Sequence, residues 1–260
     1  MDLGLGGRVA VISGAASGIG RATARAFAAE GAHIALLDRD AEALAAVHAE
    51  LRAEQHEGGR VASFVCDVTN ETDVASAVTA AARSLGGVDH VVSCAGISGP
   101  FGVELEQISL AAWNSVFAVN VGGAFLLVRA ALPWLRSADA ATIVFLASDS
   151  AVVAAPGMVP YCASKGALVQ LAKALAVELA TEHGGGIRVN ALCPSIVDTP
   201  LSREDLGLQE QGFGGADYPV QSAAEVANHV LYLSSPVSRP VNGVAMLSDF
   251  GYAARSSFPA

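Results

Sequence analysis

The sequence predicts an α/β domain: a doubly wound, parallel seven-stranded sheet with helices on both faces. Three observations predict it. Short apolar runs alternate with longer helix-like stretches along the whole chain. The short runs are mostly continuously apolar, as strands buried on both faces must be. Glycine is frequent, at 27 of 260 residues, which suits a fold with many tight strand-to-helix turns.

The elements follow in order. Arg8–Ser13 reads as a first strand, ended by Gly14, and Ile19–Glu30 as the helix after it. His33–Leu37 is the second strand and Ala41–Gln55 its helix; Val61–Cys66 is the third, followed by Glu71–Leu85. Val88–Cys94 precedes the longest helical pattern, Leu110–Arg136, read as one helix with Ser109 as its N-cap. Thr142–Leu146 is the fifth strand, Tyr161–Glu182 a helix and Ile187–Cys193 the sixth strand. Ala223–Leu233, capped by Ser222, and a last strand, Val244–Leu247, complete the alternation. Strand–helix–strand units of this kind wind into a parallel sheet with ligands at the carboxyl ends of the strands.

No repeat or composition shift marks a second unit, so residues 1–260 are expected to form one dinucleotide-binding and catalytic domain. The least regular stretch is 201–220, with Gly207, Gly212, Gly214 and Gly215. It follows the sixth strand and is expected to be a substrate-binding loop.

Composition excludes several functions. The formal net charge is −10, with no Lys/Arg cluster on any expected helix, which argues against nucleic acid as a partner. No run reaches about 18 uninterrupted apolar residues, and the start of the chain lacks a signal pattern, so no membrane association is expected. The four cysteines, Cys66, Cys94, Cys162 and Cys193, form no CxxC pair. They are expected to be buried free thiols of a cytoplasmic protein, with no metal site.

The turn after the first strand reads Ser13-Gly14-Ala15-Ala16-Ser17-Gly18-Ile19-Gly20. Glycines at this spacing let a backbone come close to a pyrophosphate at the positive end of a helix. Gly14, Ser17, Gly18, Ile19 and Gly20 are thus candidate cofactor contacts. Asp38 ends the second strand, where a carboxylate bonds the adenosine ribose hydroxyls of NAD and repels a 2′-phosphate. The neighbouring Arg39 opposes that preference, and Asp38 also reads as a solvated turn residue.

Tyr161 and Lys165 are four residues apart, on one face of a helix, so phenol and ammonium address one site. A nearby cation favours the phenolate and fits the Tyr for proton transfer. Ser148 lies at the end of the fifth strand, and Asn120 within the long helix.

In order and spacing these residues resemble the short-chain dehydrogenase/reductase family over essentially the whole chain. The match also includes Asp67, Ala95-Gly96, and Asn190-Ala191 leading to Pro194 and Thr199. The resemblance implies a Rossmann-type fold and a hydride transfer between NAD and an alcohol or ketone carbon. It implies that Tyr161 is the general acid/base and that Lys165 lowers its pKa and binds the nicotinamide ribose. Ser148 would bond the reacting oxygen, and Asn120 would hold a water leading from Lys165 to solvent. Asp67 would stand near the adenine, Ala95 and Gly96 along the cofactor, and Pro194, the main chain at Val197 and Thr199 near the carboxamide.

The chain departs from the family pattern at four places: Ser13 for Thr, Cys94 for Asn, Ser195 for Gly and Phe250 for Gly. The substrate pocket is expected among Gly96–Ser98, Asp149–Val153, Pro156–Val159, Ser195–Ile196 and 201–220. Most of these are small or apolar with no Arg pair, so a neutral or mostly apolar secondary alcohol or ketone is expected. Asp149 and Ser150 leave a diol, polyol or sugar open, and Asp149 also reads as a turn cap. A homodimer or homotetramer is expected, with Ala167, Ala172, Ala174 and Ala176 as a close-packing face. The alternatives are a 3-oxoacyl-thioester reductase and a non-catalytic dinucleotide-binding regulator.

Overall fold

The computed structural model describes residues 2–54, 58–181, 186–208 and 212–255. Its strands are β1 (Val9–Ser13), β2 (His33–Asp38), β3 (Val61–Val65), β4 (His90–Ser93), β5 (Thr142–Leu146), β6 (Arg188–Pro194), β7 (Val197–Asp198), β8 (Gln221–Ser222) and β9 (Ala245–Ser248). Its helices are α1 (Gly18–Ala29), α2 (Ala41–Ala53), α3 (Glu71–Leu85), α4 (Leu110–Phe117), α5 (Ala124–Leu135), α6 (Val159–Leu179), α7 (Pro200–Asp205) and α8 (Ala223–Ser234). The ends expected at Gln55 and Glu182 fall outside the described residues.

All seven expected strands form, in the order β3-β2-β1-β4-β5-β6-β9, and every pair is parallel. The order reverses between β1 and β4, which opens a crevice above their carboxyl ends.

The apolar runs explain the layering. Successive side chains of a strand point to opposite faces. Val9, Val11, Ala35 and Leu37 join one core with α3, α5 and α6. Ala10, Ile12, Ile34 and Leu36 join the other with α1, α2 and α8. Burying both faces leaves no place for a polar residue in β1 or β5 except Ser13 and Thr142, both fully enclosed.

Ser109 and Ser222 cap α4 and α8 as expected, their hydroxyls accepting from the N–H of Ala112 and Glu225. Asp40 and Asn70 do the same for α2 and α3. Each satisfies an N–H that the first helical turn leaves free.

Three expectations change. Leu110–Arg136 is not one α-helix, because a π-helical turn at Ala118–Gly123 separates α4 from α5. Gly123 in that turn lies so close to Val68 that a Cβ there would stand 2.7 Å from a Val68 methyl. The combined segment 110–135 is long and apolar enough to cross a membrane by length and composition, although charged and polar residues interrupt its apolar run. Here it packs on the sheet, with Leu127, Val128, Ala131 and Leu135 in the core.

The expected loop 201–220 begins as α7, because Thr199 and Ser202 form a reciprocal capping box around its first turn. It ends at the short parallel pair β7–β8, which is too brief to leave a pattern in the sequence. Ala172 and Ala176 are buried in the chain's own core, and only Ala174 of the expected alanine face is exposed.

All four thiols are free, but Cys94 and Cys162 are only half-buried. Among the described residues no group of three His, Cys, Asp or Glu could hold a metal ion.

Candidate active site

The crevice above β1 and β4 has a volume of about 540 Å³. Its floor is the glycine turn: Gly14, Ser17, Gly18, Ile19 and Gly20 all line it. The turn needs its glycines for steric reasons. A Cβ on Gly20 would lie 2.0 Å from the Gly14 carbonyl oxygen, because α1 starts directly against the turn. Gly14 itself has φ +66°, and its missing Cβ would strike the Ala95 backbone at 2.7 Å. This close approach brings the ends of β1 and β4 together. Ser17 precedes α1 in extended backbone with no side-chain cap, so the first N–H groups of α1 face the crevice without a protein partner from that residue.

Asp38 lies at one end of the crevice. Its carboxylate accepts from the N–H of Ala16 at 3.0 Å and of Asp40 at 3.0 Å. This ties the end of β2 to the glycine turn and fixes a negative charge there. Arg39 lines the same end. Asp67 also lines the crevice, and the Thr69 N–H and hydroxyl hold its carboxyl below the usual range. Ala95 and Gly96 form one wall, and Thr199, Pro200, Leu201 and Glu204 bring α7 over the opening. Gly18 and the Thr199 methyl nearly touch across it. The cradle fits a dinucleotide: a helix N-terminus for the pyrophosphate and a carboxylate at the ribose end.

Of the expected cofactor contacts, Tyr161, Lys165, Pro194 and Val197 do not line this crevice. Pro194 ends β6, and Val197 is buried where β7 pairs with β8.

Of the four expected catalytic residues, Asn120 and Lys165 stand directly behind Gly96, and Tyr161 stands beside Lys165. Lys165 is buried and its ammonium donates to the Leu146 carbonyl at 2.7 Å. A Cβ on Gly96 would stand 3.5 Å from that ammonium and 3.4 Å from Asn120 Oδ1, so this wall lies directly against both groups. Asn120 lies in the π-helical turn. Its Oδ1 accepts from the Ile97 N–H at 2.9 Å, and its amide donates to the Ile97 carbonyl at 3.0 Å and to Ser164 Oγ at 2.9 Å. A single wide turn inside a helix re-aims one side chain, and here it aims Asn120 at the loop after β4.

Ser148 lies two residues past β5, where its hydroxyl donates to Asp149 Oδ1 at 3.0 Å, and it acts on the nearby Tyr161 phenol. With the Lys165 ammonium 5.4 Å from the Tyr161 ring centroid, the three groups lie in one neighbourhood. One expectation is reversed. Burial pushes the Tyr161 phenol up to about 12, the Ser148 hydroxyl pulls it down, and Asp149, Asp205 and Cys162 push it further up. Lys165 does not lower it, because its ammonium is drawn to Leu146 and stands 5.4 Å from the ring centroid. Burial in turn brings Lys165 down to about 8.

Sequence reasoning missed Asp205. It sits at the end of α7, accepts from Ser98 Oγ at 2.5 Å and faces Tyr161. Its placement depends on the fold of α7, so no local signal marks it. At the departures from the family pattern, burial pushes the Cys94 thiol up to about 12 beside Thr23 and Lys165. Ser195 Oγ accepts from the Gln221 amide at 3.2 Å. Phe250 is exposed and lines a second crevice with Gln221, Glu225 and His229.

Residues 14–253 match the family model described as enoyl-(acyl carrier protein) reductase. The chain is 38% identical over 256 residues to a 2-(R)-hydroxypropyl-CoM dehydrogenase of Xanthobacter autotrophicus, covering 95% of this chain and 99% of that one. This chain belongs to the short-chain dehydrogenase/reductase family. It is an oxidoreductase that interconverts an alcohol and a ketone. A second member, a D-threitol dehydrogenase of Mycolicibacterium smegmatis, is 36% identical over 258 residues, covering 96% of this chain and 95% of that one. The solved levodione reductase matches this short-chain dehydrogenase/reductase with a TM-score of 0.88 at 29% identity, covering 96% of this chain and 99% of that one.

Proposed function

We propose that this enzyme is an NAD(H)-dependent dehydrogenase of a small, neutral or mostly apolar secondary alcohol, with Tyr161 as the general acid/base. The observation that carries the reading is Lys165 behind the Gly96 wall of a crevice that also holds the Asp38 carboxylate, with Tyr161 beside Lys165 and acted on by Ser148. Gly14, Ser17, Gly18, Ile19, Gly20, Asp38 and Asp67 would hold the dinucleotide, with Ala95, Gly96 and Thr199 along it. When bound, the nicotinamide supplies the hydride carrier.

The protein's own groups supply position and proton transfer. Tyr161 takes the hydroxyl proton in oxidation and returns it in reduction. Ser148 bonds the reacting oxygen. Lys165, held by the Leu146 carbonyl, stands beside the Tyr161 ring and braces the wall of the site. Asn120 fixes the wall against which these groups are set.

The fixed charge of Asp38 supports NAD over NADP. The relatives named as hydroxypropyl-CoM and threitol dehydrogenases support an alcohol substrate.

We also infer a cytoplasmic homodimer or homotetramer. Only 39% of the most apolar window of 110–135 is buried in the chain itself, and Leu110, Phe125 and Val177 are exposed. A second copy of this chain fits such a face.

The test is a panel of secondary alcohols and ketones followed by absorbance at 340 nm, with NAD(H) and NADP(H) in parallel. Turnover confined to NADP(H), or none with any member, would overturn the proposal.

A further inference from the structure

We propose that Asp205 is a positioning residue: through Ser98 it latches α7 across the crevice and so gates the entry and release of the dinucleotide. The inference rests on the reading of that crevice as the dinucleotide site.

α7 does not hold its place by packing. It is six residues long, too short to be stable alone, and none of its residues is buried. Its position therefore depends on ties at its two ends. At the start, Arg203 donates to the Asp198 carboxylate at 2.6 and 2.9 Å, and Thr199 and Ser202 cap one another. These bonds stay within residues 198–203, so they shape the helix without docking it on another wall. At the far end, Ser98 Oγ donates to Asp205 Oδ2 at 2.5 Å. Among the described residues, no other hydrogen bond ties an α7 side chain to a distant segment.

The other half of the latch is fixed. Ser98 is buried, and Asn120 holds its neighbour Ile97 by both the N–H, at 2.9 Å, and the carbonyl, at 3.0 Å. Gly96, one residue further back, lies against Asn120 and Lys165. The latch thus fastens α7 to the wall that stands before the catalytic groups.

Its place is at the opening. Ile97 and Glu204, the neighbours of Ser98 and Asp205, both line the crevice, one from the loop after β4 and one from α7. At the other end of α7, the Thr199 methyl stands 3.3 Å from where a Cβ of Gly18 would be. α7 is therefore a bar about 9 Å long laid from the glycine turn toward the loop after β4. Beyond it, Gly207 has φ +62° and nothing within 4 Å of where its Cβ would be. Breaking one hydrogen bond frees the end of the bar, with the Asp198–Arg203 end as its hinge. Burial raises the Asp205 carboxyl above its ordinary range and the Ser98 bond opposes this, so the closed state is the favoured one.

The experiment uses the full-length enzyme without substrate. NADH, or NADPH if that binds more tightly, is bound first and displaced by excess oxidised cofactor in a stopped-flow fluorimeter. Association is followed separately at increasing concentrations. Wild type is compared with Ser98→Ala, Asp205→Ala, the double variant and Asp205→Asn, with melting temperatures as a check on folding. Losing a charge-assisted bond should speed dissociation about tenfold in each single alanine variant. The same door serves entry, so association should speed up too, and Kd should move by less than the dissociation rate. Damage to the site itself would leave association unchanged or slow it. The double variant should be no faster than the faster single, because both remove one bond. Asp205→Asn keeps an acceptor oxygen and should fall between wild type and Asp205→Ala.

Dissociation within about twofold of wild type in both single alanine variants overturns the latch. So does an association rate that fails to rise, and so do effects that multiply in the double variant. A wild type that binds neither cofactor overturns the dinucleotide reading along with it. Binding by the wild type with any of the other failures overturns the latch alone.

Discussion

Gly20 stands so close to Gly14 that a methyl group on the one would lie 2.0 Å from the carbonyl oxygen of the other. The first helix is thus seated on the turn that precedes it. Gly20→Ala is expected to force the turn open, destabilising the fold by about 2 kcal/mol or more, as overpacking does. NADH affinity should fall with it. A urea midpoint and an NADH titration within error of wild type would refute this.

Tyr161→Phe removes one oxygen and little volume. Turnover should drop by about a hundredfold to ten-thousandfold, the range general acid–base catalysis supplies. NADH binding should stay within about threefold, because the crevice lining does not include Tyr161. An active Phe variant would remove Tyr161 from the mechanism.

Asp38→Asn keeps one of the two oxygens that accept from the N–H groups of Ala16 and Asp40, and it loses the charge. A 2′-phosphate is then no longer repelled. The ratio of kcat/KM for NADPH over NADH should rise about tenfold, or about 1.4 kcal/mol. A ratio that does not move would show that Asp38 is only a structural tie.

His90 is sealed between Phe27 and Thr142, and its Nε2 has no partner. Burial holds its pKa below the usual imidazole range. Between the folded pKa and the unfolded value near 6.5, the unfolded chain binds more protons. Stability is therefore fully present above about pH 6.5 and declines as pH falls toward the folded pKa. Melting temperatures between pH 7.5 and 5 should fall more steeply for wild type than for His90→Gln. Parallel slopes would assign acid sensitivity to other groups.

Much of this was legible in the sequence, for physical reasons. A parallel strand buried on both faces leaves a mostly apolar run, so β1, β2, β4, β5 and β6 announce themselves, and the partly exposed edge strands β3 and β9 still carry enough apolar residues to be read. The glycine turn is legible because close backbone contact excludes every side chain, and Ser109 and Ser222 because a cap needs a short oxygen-bearing side chain. Other features depend on contacts between distant segments. The π-helical turn is set by Asn120 meeting Ile97 and Gly123 meeting Val68. Asp205 reaches Tyr161 only because α7 folds over the crevice. The direction of the Tyr161 shift depends on where Lys165 bonds, and a four-residue spacing cannot specify that.

The wide turn at Ala118–Gly123 has a consequence for the chain's tolerance of length changes. It works as a phase shifter between α4 and α5, setting which side of α5 meets the sheet. Removing one residue from it would rotate everything downstream by about 100°, one residue's step in an α-helix. Leu127 and Ala131 would then leave their buried places, and Arg129 would be carried into that of Val128. Insertions and deletions in this family member should be far less tolerable here than in any surface connection, even though none of the six residues is charged.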